Sequence, residues 1–374
     1  MPQFIWQLPA WPLLRWNIER LLAPLAACRK AQGALRARLE IAGLMNCRES
    51  EAAPLEEDAV QTAAIEGETL DREQVRSSVA RHLGLDQAGL RPPDRATDGL
   101  VQILLDATRN HHLPLTAQRI HGWHAALFPT GYSGLLPIRT GAWRNKPLDV
   151  VSGPMHRPRI DFSAPPPETL DAEMTAFLTW WAESQPAMDG LIRAGLAHLR
   201  FVTIHPFDDG NGRLARTLTD MALAQDENRP YRHYSLSAQI MAQRKGYYDI
   251  LESTQKGDGD VTDWLAWFLR QLQDALTTAG LTVNRILKKD EFWRQHAQTT
   301  LNERQRKVVN RLLEAGRTED GGGFEGGLTN RKYTAMTRTS RATAFRELAD
   351  LVEKNILRPL PGKGRGTAYE LIWP

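Results

Sequence analysis

Cysteine, long apolar runs and net charge are all scarce in this chain of 374 residues, and each scarcity closes off a class of protein. Cysteine occurs only at Cys28 and Cys47, too few for a disulfide framework or a thiolate zinc site. Both read as fillers in a reducing cytosol. The opening stretch MPQFIWQLPAWPLLRW has no basic start and no continuous apolar run, and its first basic residue is Arg15. That argues against a secretory leader or a membrane span. It reads instead as an amphipathic helix, with Leu14, Ile18, Leu21, Leu22 and Leu25 at helical spacing and Trp6, Trp11 and Trp16 as packing residues. The net charge is only +3, which gives no global case for nucleic acid. With 42% apolar and 24% charged residues, the composition is that of an ordinary soluble globular protein. The length points to two or three domains, and the expected location is the cytoplasm, away from membranes.

Against that plain background, residues 205–216 stand out as HPFDDGNGRLAR. Pro206 biases His205 away from helical geometry, so a helix is expected to end there and another to open at Gly210-Asn211-Gly212. A helix N-terminus presents free backbone N–H groups, and glycines let a ligand approach them closely. Arg213 and Arg216, three apart, share a helix face and suit successive phosphates. Asp209 is a hard oxygen ligand for Mg²⁺, and His205 has the ordinary pKa of a base at neutral pH.

These residues resemble the signature of the Fic (filamentation induced by cAMP) family, H-x-F-x-D/E-G-N-G-R-x-x-R, at every specified position. The resemblance implies a protein adenylyltransferase, which moves AMP from ATP to a Ser, Thr or Tyr hydroxyl of a target protein, this chain itself included. It implies His205 as base, Asp209 as Mg²⁺ ligand, Gly210, Asn211 and Gly212 as anion hole, Arg213 and Arg216 as grip on the β- and γ-phosphates, and Phe207 as core anchor. The fold it implies is mainly α, a helical core with a small β-hairpin flap. ATP and Mg²⁺ are the expected cofactors; another nucleotide or a phosphocholine-like donor stays open.

Upstream, residues 53–70 (APLEEDAVQTAAIEGETL) form a helical pattern with Gly67 as a C-cap. Thr62, Glu66 and Gly67 resemble the inhibitory motif S/T-x-x-x-E-G/N of many Fic proteins. By that resemblance Glu66, on an inhibitory helix at about 55–67, reaches Arg216 and fills the space of the γ-phosphate. The same glutamate could instead orient water for removing AMP.

Between these segments, helices are expected over 116–128, 168–183 and 190–204, the last with Ile192, Leu196 and Leu199 inward. His121 and His124 read as packing or cap residues, with no acid or cysteine beside them to make a metal site. Residues 141–162 alternate around Ser152-Gly153-Pro154 as a hairpin would; the resemblance makes it the flap that holds the target by strand addition. Tyr247 and Tyr248, in RKGYYDIL, either border adenine or belong to the core.

From Asn302 the pattern changes to helix, glycine-rich loop, two helices and an alternating stretch around Pro361-Gly362-Lys363-Gly364. This looks like a winged helix-turn-helix. Residues 329–366 hold nine basic and three acidic residues, an excess of +6, with Arg341 and Arg346 near the start of the recognition helix. DNA binding and a docking or dimerisation role are both open. The turn Thr337-Arg338-Thr339 lacks the glycine common in that bend. The expected organisation is an N-terminal helical region over 1–95, a Fic core over 96–290 and a winged helix over 291–374. The competing reading is a DNA-binding regulator that uses the Fic core as a nucleotide sensor.

Overall fold

The computed structural model describes residues 3–45, 48–86, 89–152, 159–316, 324, 326–361 and 367–373. The fold is mainly helical. Among the described residues the helices are α1 (Ile18–Ile41), α2 (Arg48–Ile65), α3 (Arg72–Leu83), α4 (Arg95–Arg109), α5 (Ala117–Leu127), α6 (Leu170–Ala187), α7 (Gly190–Ile204), α8 (Asn211–Glu227), α9 (Leu236–Ala242), α10 (Arg244–Gln255), α11 (Thr262–Gln295), α12 (Glu303–Ala315), α13 (Asn330–Thr337) and α14 (Arg341–Glu353). The strands are β1 (Tyr132–Ser133), β2 (Leu136–Pro137), β3 (Asp149–Ser152), β4 (Arg159–Ser163), β5 (Leu328–Thr329), β6 (Leu357–Pro359) and β7 (Ala368–Leu371). They make two antiparallel hairpins, β1–β2 and β3–β4, and one sheet of order β5-β7-β6. Two compact units divide the chain, one of residues 1–37 and 43–279, the other of 38–42 and 280–374. No helix among the described residues is long and apolar enough to cross a membrane.

The first unit is built around α7 packed on α8. Asp189 starts α7 by accepting from the amides of Leu191 at 2.9 Å and Ile192 at 3.4 Å, a cap that satisfies two orphan N–H groups. The expected inward stripe of Ile192, Leu196 and Leu199 is there, but α7 is buried on every face from Leu191 to Ile204. A helix in the middle of a core has no solvent side. Its buried Arg193 is therefore fully engaged, donating to Ser184 Oγ at 2.9 Å, the Trp181 carbonyl at 2.8 Å and Gln225 Oε1 at 2.8 Å.

In α1 the expected stripe is only half right. Leu21 is buried but Ile18 and Leu22 are exposed, and the inward line is Leu21, Cys28 and Leu35. Seven-residue spacing keeps one face toward the core where the four-residue neighbours turn away.

The second unit has an apolar core of Phe292, Val308, Val309, Leu312, Leu313, Leu328, Tyr333, Ala344, Leu348, Leu351, Ile356, Leu357 and Leu371. Ser340 caps α14 through the amide of Thr343. β5 is a third strand that the alternating pattern does not reveal, because two residues are too few for a period to show. The expected turns at Gly153-Pro154 and Gly362-Lys363-Gly364, and most of the glycine-rich loop, lie outside the described residues.

Candidate active site

The turn between α7 and α8 carries the HPFDDGNGR residues, and its shape follows from local chemistry. His205 closes α7 in the left-handed region, φ 51° and ψ 58°, a conformation that costs a residue with a side chain about 1–2 kcal/mol. Phe207 is wholly buried and stacks on His124, ring centres 4.0 Å apart. The Asn211 side chain closes the loop, its Nδ2 donating to the Phe207 carbonyl at 2.8 Å and its Oδ1 accepting from the Phe207 amide at 3.0 Å. The Asn211 side chain is thus engaged by the loop through both its oxygen and one of its N–H groups, and α8 opens with free main-chain N–H groups beside it. Gly210, at φ 79°, precedes α8, and a Cβ there would sit 2.8 Å from the Phe128 ring.

Hydrogen-bond partners set the state of the histidines. His205 Nδ1 faces the Val202 carbonyl at 3.1 Å, and a carbonyl only accepts, so Nδ1 bears the proton and Nε2 carries the lone pair. Burial holds the His205 pKa below the ordinary histidine value, with Arg144 adding to the effect and the Val202 carbonyl, Glu66 and Asp209 opposing it. The His205 imidazole is therefore neutral at neutral pH. His124 accepts from the Gly141 amide at 3.0 Å and donates to the Asp209 carbonyl at 3.2 Å; burial lowers its pKa to about 4. It links the loop to Gly141.

Both arginines of the helix face are buried and already engaged. Arg216 donates from Nε to Thr62 Oγ1 at 2.6 Å, and from Nη2 to the Thr62 carbonyl at 2.9 Å and Glu66 Oε1 at 2.7 Å. Burial opposes its charge, but Glu66 and the nearby tyrosines more than offset this and raise its pKa. Arg213 pairs with Glu68 Oε2 at 2.8 Å and lies over the Phe128 ring. Arg213 Nε and Nη2 and Arg216 Nη1 are buried with no hydrogen-bond partner among the described residues. Such orphaned donors fit an anion. A Cβ on Gly212 would collide with the Glu66 carboxylate, so only glycine lets that carboxylate rest on the start of α8. Gly67, at φ 86°, makes the turn out of α2 just beyond Glu66.

Asp209 takes the Ser133 hydroxyl on Oδ2 and the Gly210 amide on Oδ1. Mg²⁺ needs one or two protein carboxylates and completes its shell with phosphate and water, and Asp209 supplies one. No group of three or more His, Cys, Asp or Glu among the described residues could hold a metal ion.

Beside the turn lies a cavity of about 570 Å³ lined in part by His205, Gly212, Glu66, Tyr247, Tyr248 and Val151. Tyr247 is buried and donates to His198 Nε2 at 2.8 Å. His198 Nδ1 in turn donates to Thr219 Oγ1 at 3.0 Å, whose own proton goes to the Ala215 carbonyl at 2.8 Å. Burial, aided by Arg216, drops the His198 pKa to about 3. Tyr248 is partly exposed and, with Arg244, holds the Ile65 carbonyl at the end of α2, at 3.1 and 2.7 Å.

The fold therefore gathers His205, Asp209, Gly210, Asn211, Gly212, Arg213, Arg216, Thr62, Glu66, Gly67, Tyr247 and Tyr248 within the first unit. Arg341 and Arg346 belong to the second, exposed on α14. Sequence reasoning missed Arg144, Glu68, His124 as a loop brace, and Ser133. Each is an ordinary residue type far from the turn in the chain, and only the WRN and EGE contexts next to recognised segments offered any signal.

The sequence profile described as Fic/DOC family matches residues 114–223, and one described as Domain of unknown function (DUF4172) matches 4–85. The chain is 35% identical over 116 residues, 29% of its length and 21% of the relative's, to the uridine 5′-monophosphate transferase of Xanthomonas campestris pv. campestris (strain 8004). It is 35% identical over 123 residues, 33% of its length and 25% of the relative's, to protein adenylyltransferase Fic of Nematostella vectensis. The chain thus spans about a quarter or less of these curated relatives. A Fic family protein from Desulfovibrio desulfuricans G20 shares the fold over 94% of this chain and 96% of its own, with TM-score 0.52 at 18% identity.

Proposed function

The chain is a Fic family protein, and we propose that it is a nucleotidyltransferase that moves AMP from ATP to a hydroxyl of a protein target, held down by its own α2. The observation that carries this reading is the pairing of a neutral His205, its lone pair on Nε2, with buried and partly orphaned guanidinium groups at the start of a helix. A bare nucleotide sensor needs the guanidiniums but has no use for the base.

In this mechanism Nε2 takes the proton of a Ser, Thr or Tyr hydroxyl as its oxygen bonds to the α-phosphorus and the bond to the β-phosphate oxygen breaks, releasing pyrophosphate. Arg213, Arg216 and the first amides of α8 hold the phosphates, and catalysis is chiefly positioning and electrostatics. Asp209 would hold Mg²⁺, which neutralises phosphate charge when bound. The β3–β4 hairpin pairs with no other strand among the described residues and exposes Val151 and Ile160, which suits an added target strand. The resting protein cannot use its grip fully, since Thr62 and Glu66 hold Arg216 and Glu68 holds Arg213.

The test is incubation of wild type, Glu66→Gly and His205→Ala with α-labelled ATP or UTP and cell lysate. Label on protein, strongest for Glu66→Gly and absent for His205→Ala, is the expected result. Label arriving only from γ-labelled ATP would refute the transfer of AMP. Preference for UTP would assign the donor of the Xanthomonas relative, while label that wild type removes with time would point to Glu66 as a hydrolytic helper.

For the second unit, the order α12, β5, α13, α14, β6, β7 with sheet order β5-β7-β6 supports a winged helix. Exposed Arg341 and Arg346 on α14 favour duplex DNA as its ligand. Failure to bind any duplex at low salt removes that reading.

A further inference from the structure

We propose that Arg144 is the positioning residue of the site, its guanidinium holding His205 in the left-handed turn and tying that turn to both ends of the β3–β4 hairpin. The inference rests on the transfer reading above and adds a control point to it. Arg144 is 2% exposed. Its Nε donates to the His205 carbonyl at 2.8 Å, Nη1 to the Lys146 carbonyl at 2.8 Å and Nη2 to the Pro165 carbonyl at 2.5 Å. Its own amide donates to the Pro206 carbonyl at 2.8 Å. Lys146 lies just before β3, and Pro165 just after β4.

A planar fork of this kind has no substitute in lysine, whose single ammonium cannot reach three carbonyls in fixed directions. A cation buried among carbonyls is also costly to keep, and burial lowers the Arg144 pKa. What the arrangement secures is orientation. His205 needs its backbone in an unfavourable region to place Nδ1 on the Val202 carbonyl and leave Nε2 bare. Holding the His205 and Pro206 carbonyls keeps it there. Because the same fork holds the two ends of the hairpin, a peptide strand added to that hairpin acts on the residue that aims the base. Target binding and base alignment become one event.

The experiment uses the full chain with Glu66→Gly, so that transfer is measurable, and adds Arg144→Lys or Arg144→Ala. We expect kcat for AMP transfer to fall about 10²-fold, the effect of a small misplacement of a reacting group, with nucleotide affinity by calorimetry unchanged. Guanidinium ion in the buffer should partly restore Arg144→Ala and leave Arg144→Lys unaffected. Independently of activity, ¹⁵N spectra of His205 should show the Nδ1–H tautomer in the parent and a shift toward the Nε2–H form in both variants. A folded Arg144→Lys protein with parental kcat and an unchanged tautomer overturns the proposal. So does a fall in kcat matched by an equal loss of nucleotide affinity, the mark of general damage. If Arg144→Ala does not fold, Arg144→Lys and the spectra carry the test. If Glu66→Gly transfers no label, the transfer reading fails, while the tautomer still decides the role of Arg144.

Discussion

Two helix–turn–helix corners in this molecule end their first helix the same way and hold it differently. His205 after α7 and Arg338 after α13 are both non-glycine residues in the left-handed region, at φ 51° and 52°. His205 is gripped through its carbonyl by a buried guanidinium, braced by a stacked Phe207–His124 pair and closed by Asn211. Arg338 is exposed. Where a strained residue is held by tertiary contacts, the strain serves a geometry; where it is not, it is simply the local cost of a bend that lacks glycine.

The sharpest way to break the comparison is to remove the side chain that the first corner orients, His205. His205→Ala should lower AMP transfer about 10²–10⁴-fold, read by α-label incorporation, with thermal stability little changed. Removal of the Glu66 contact comes next. One charge-assisted hydrogen bond is worth roughly 1.5–3 kcal/mol, so Glu66→Gly should raise productive nucleotide binding by one to two decades. Glu68→Gln should add a smaller rise on top, because Arg213 keeps its cation–π contact and Glu68 is the more exposed acid. No gain beyond Glu66→Gly alone would confine the brake to Arg216.

The two corners should also part in acid. His198 and His124 are buried and neutral, with pKa values of about 3 and 4 against an ordinary 6.5. The unfolded chain binds protons that the fold excludes, so stability is full above about pH 6.5 and falls as pH drops toward those values. The slope approaches about 1.4 kcal/mol per pH unit for each histidine. Unfolding followed by intrinsic fluorescence at stepped pH should show it, and His198→Gln should remove one histidine's share of the slope and leave the rest. The smallest effect belongs to the second corner. Arg338→Gly should relieve the left-handed strain and leave stability within about 1 kcal/mol of wild type, slightly improved, whereas His205→Gly should lose activity.

What was legible in the sequence was what is local. HPFDDGNGRLAR puts base, acid, glycines and arginines in twelve consecutive positions, and helix ends at Pro206, Gly210 and Ser340 follow from short-range chemistry. Individual helices were legible in the same way, from periodicity, while the mainly helical fold as a whole came with the resemblance that the motif carries. Arg144 and Glu68 were not, because they meet the turn across 61 and 145 residues of chain, and neither arginine in WRN nor glutamate in EGE announces a partner. Ile18 and Leu22 misled because an apolar residue on a surface helix satisfies the same spacing as one in a core. Tyr247 read as bordering adenine or as a core residue, and its hydroxyl points into a buried chain of donors ending at the Ala215 carbonyl, a geometry no spacing encodes.

Arg144 grips main-chain oxygens at 146, 165 and 205. Every amino acid supplies that oxygen, so the residues at 146 and 165 are free to drift without disturbing the clamp. Their side chains need never change together with position 144. A coupling of this kind would leave no covarying pair, and only coordinates or a substitution at Arg144 itself can expose it.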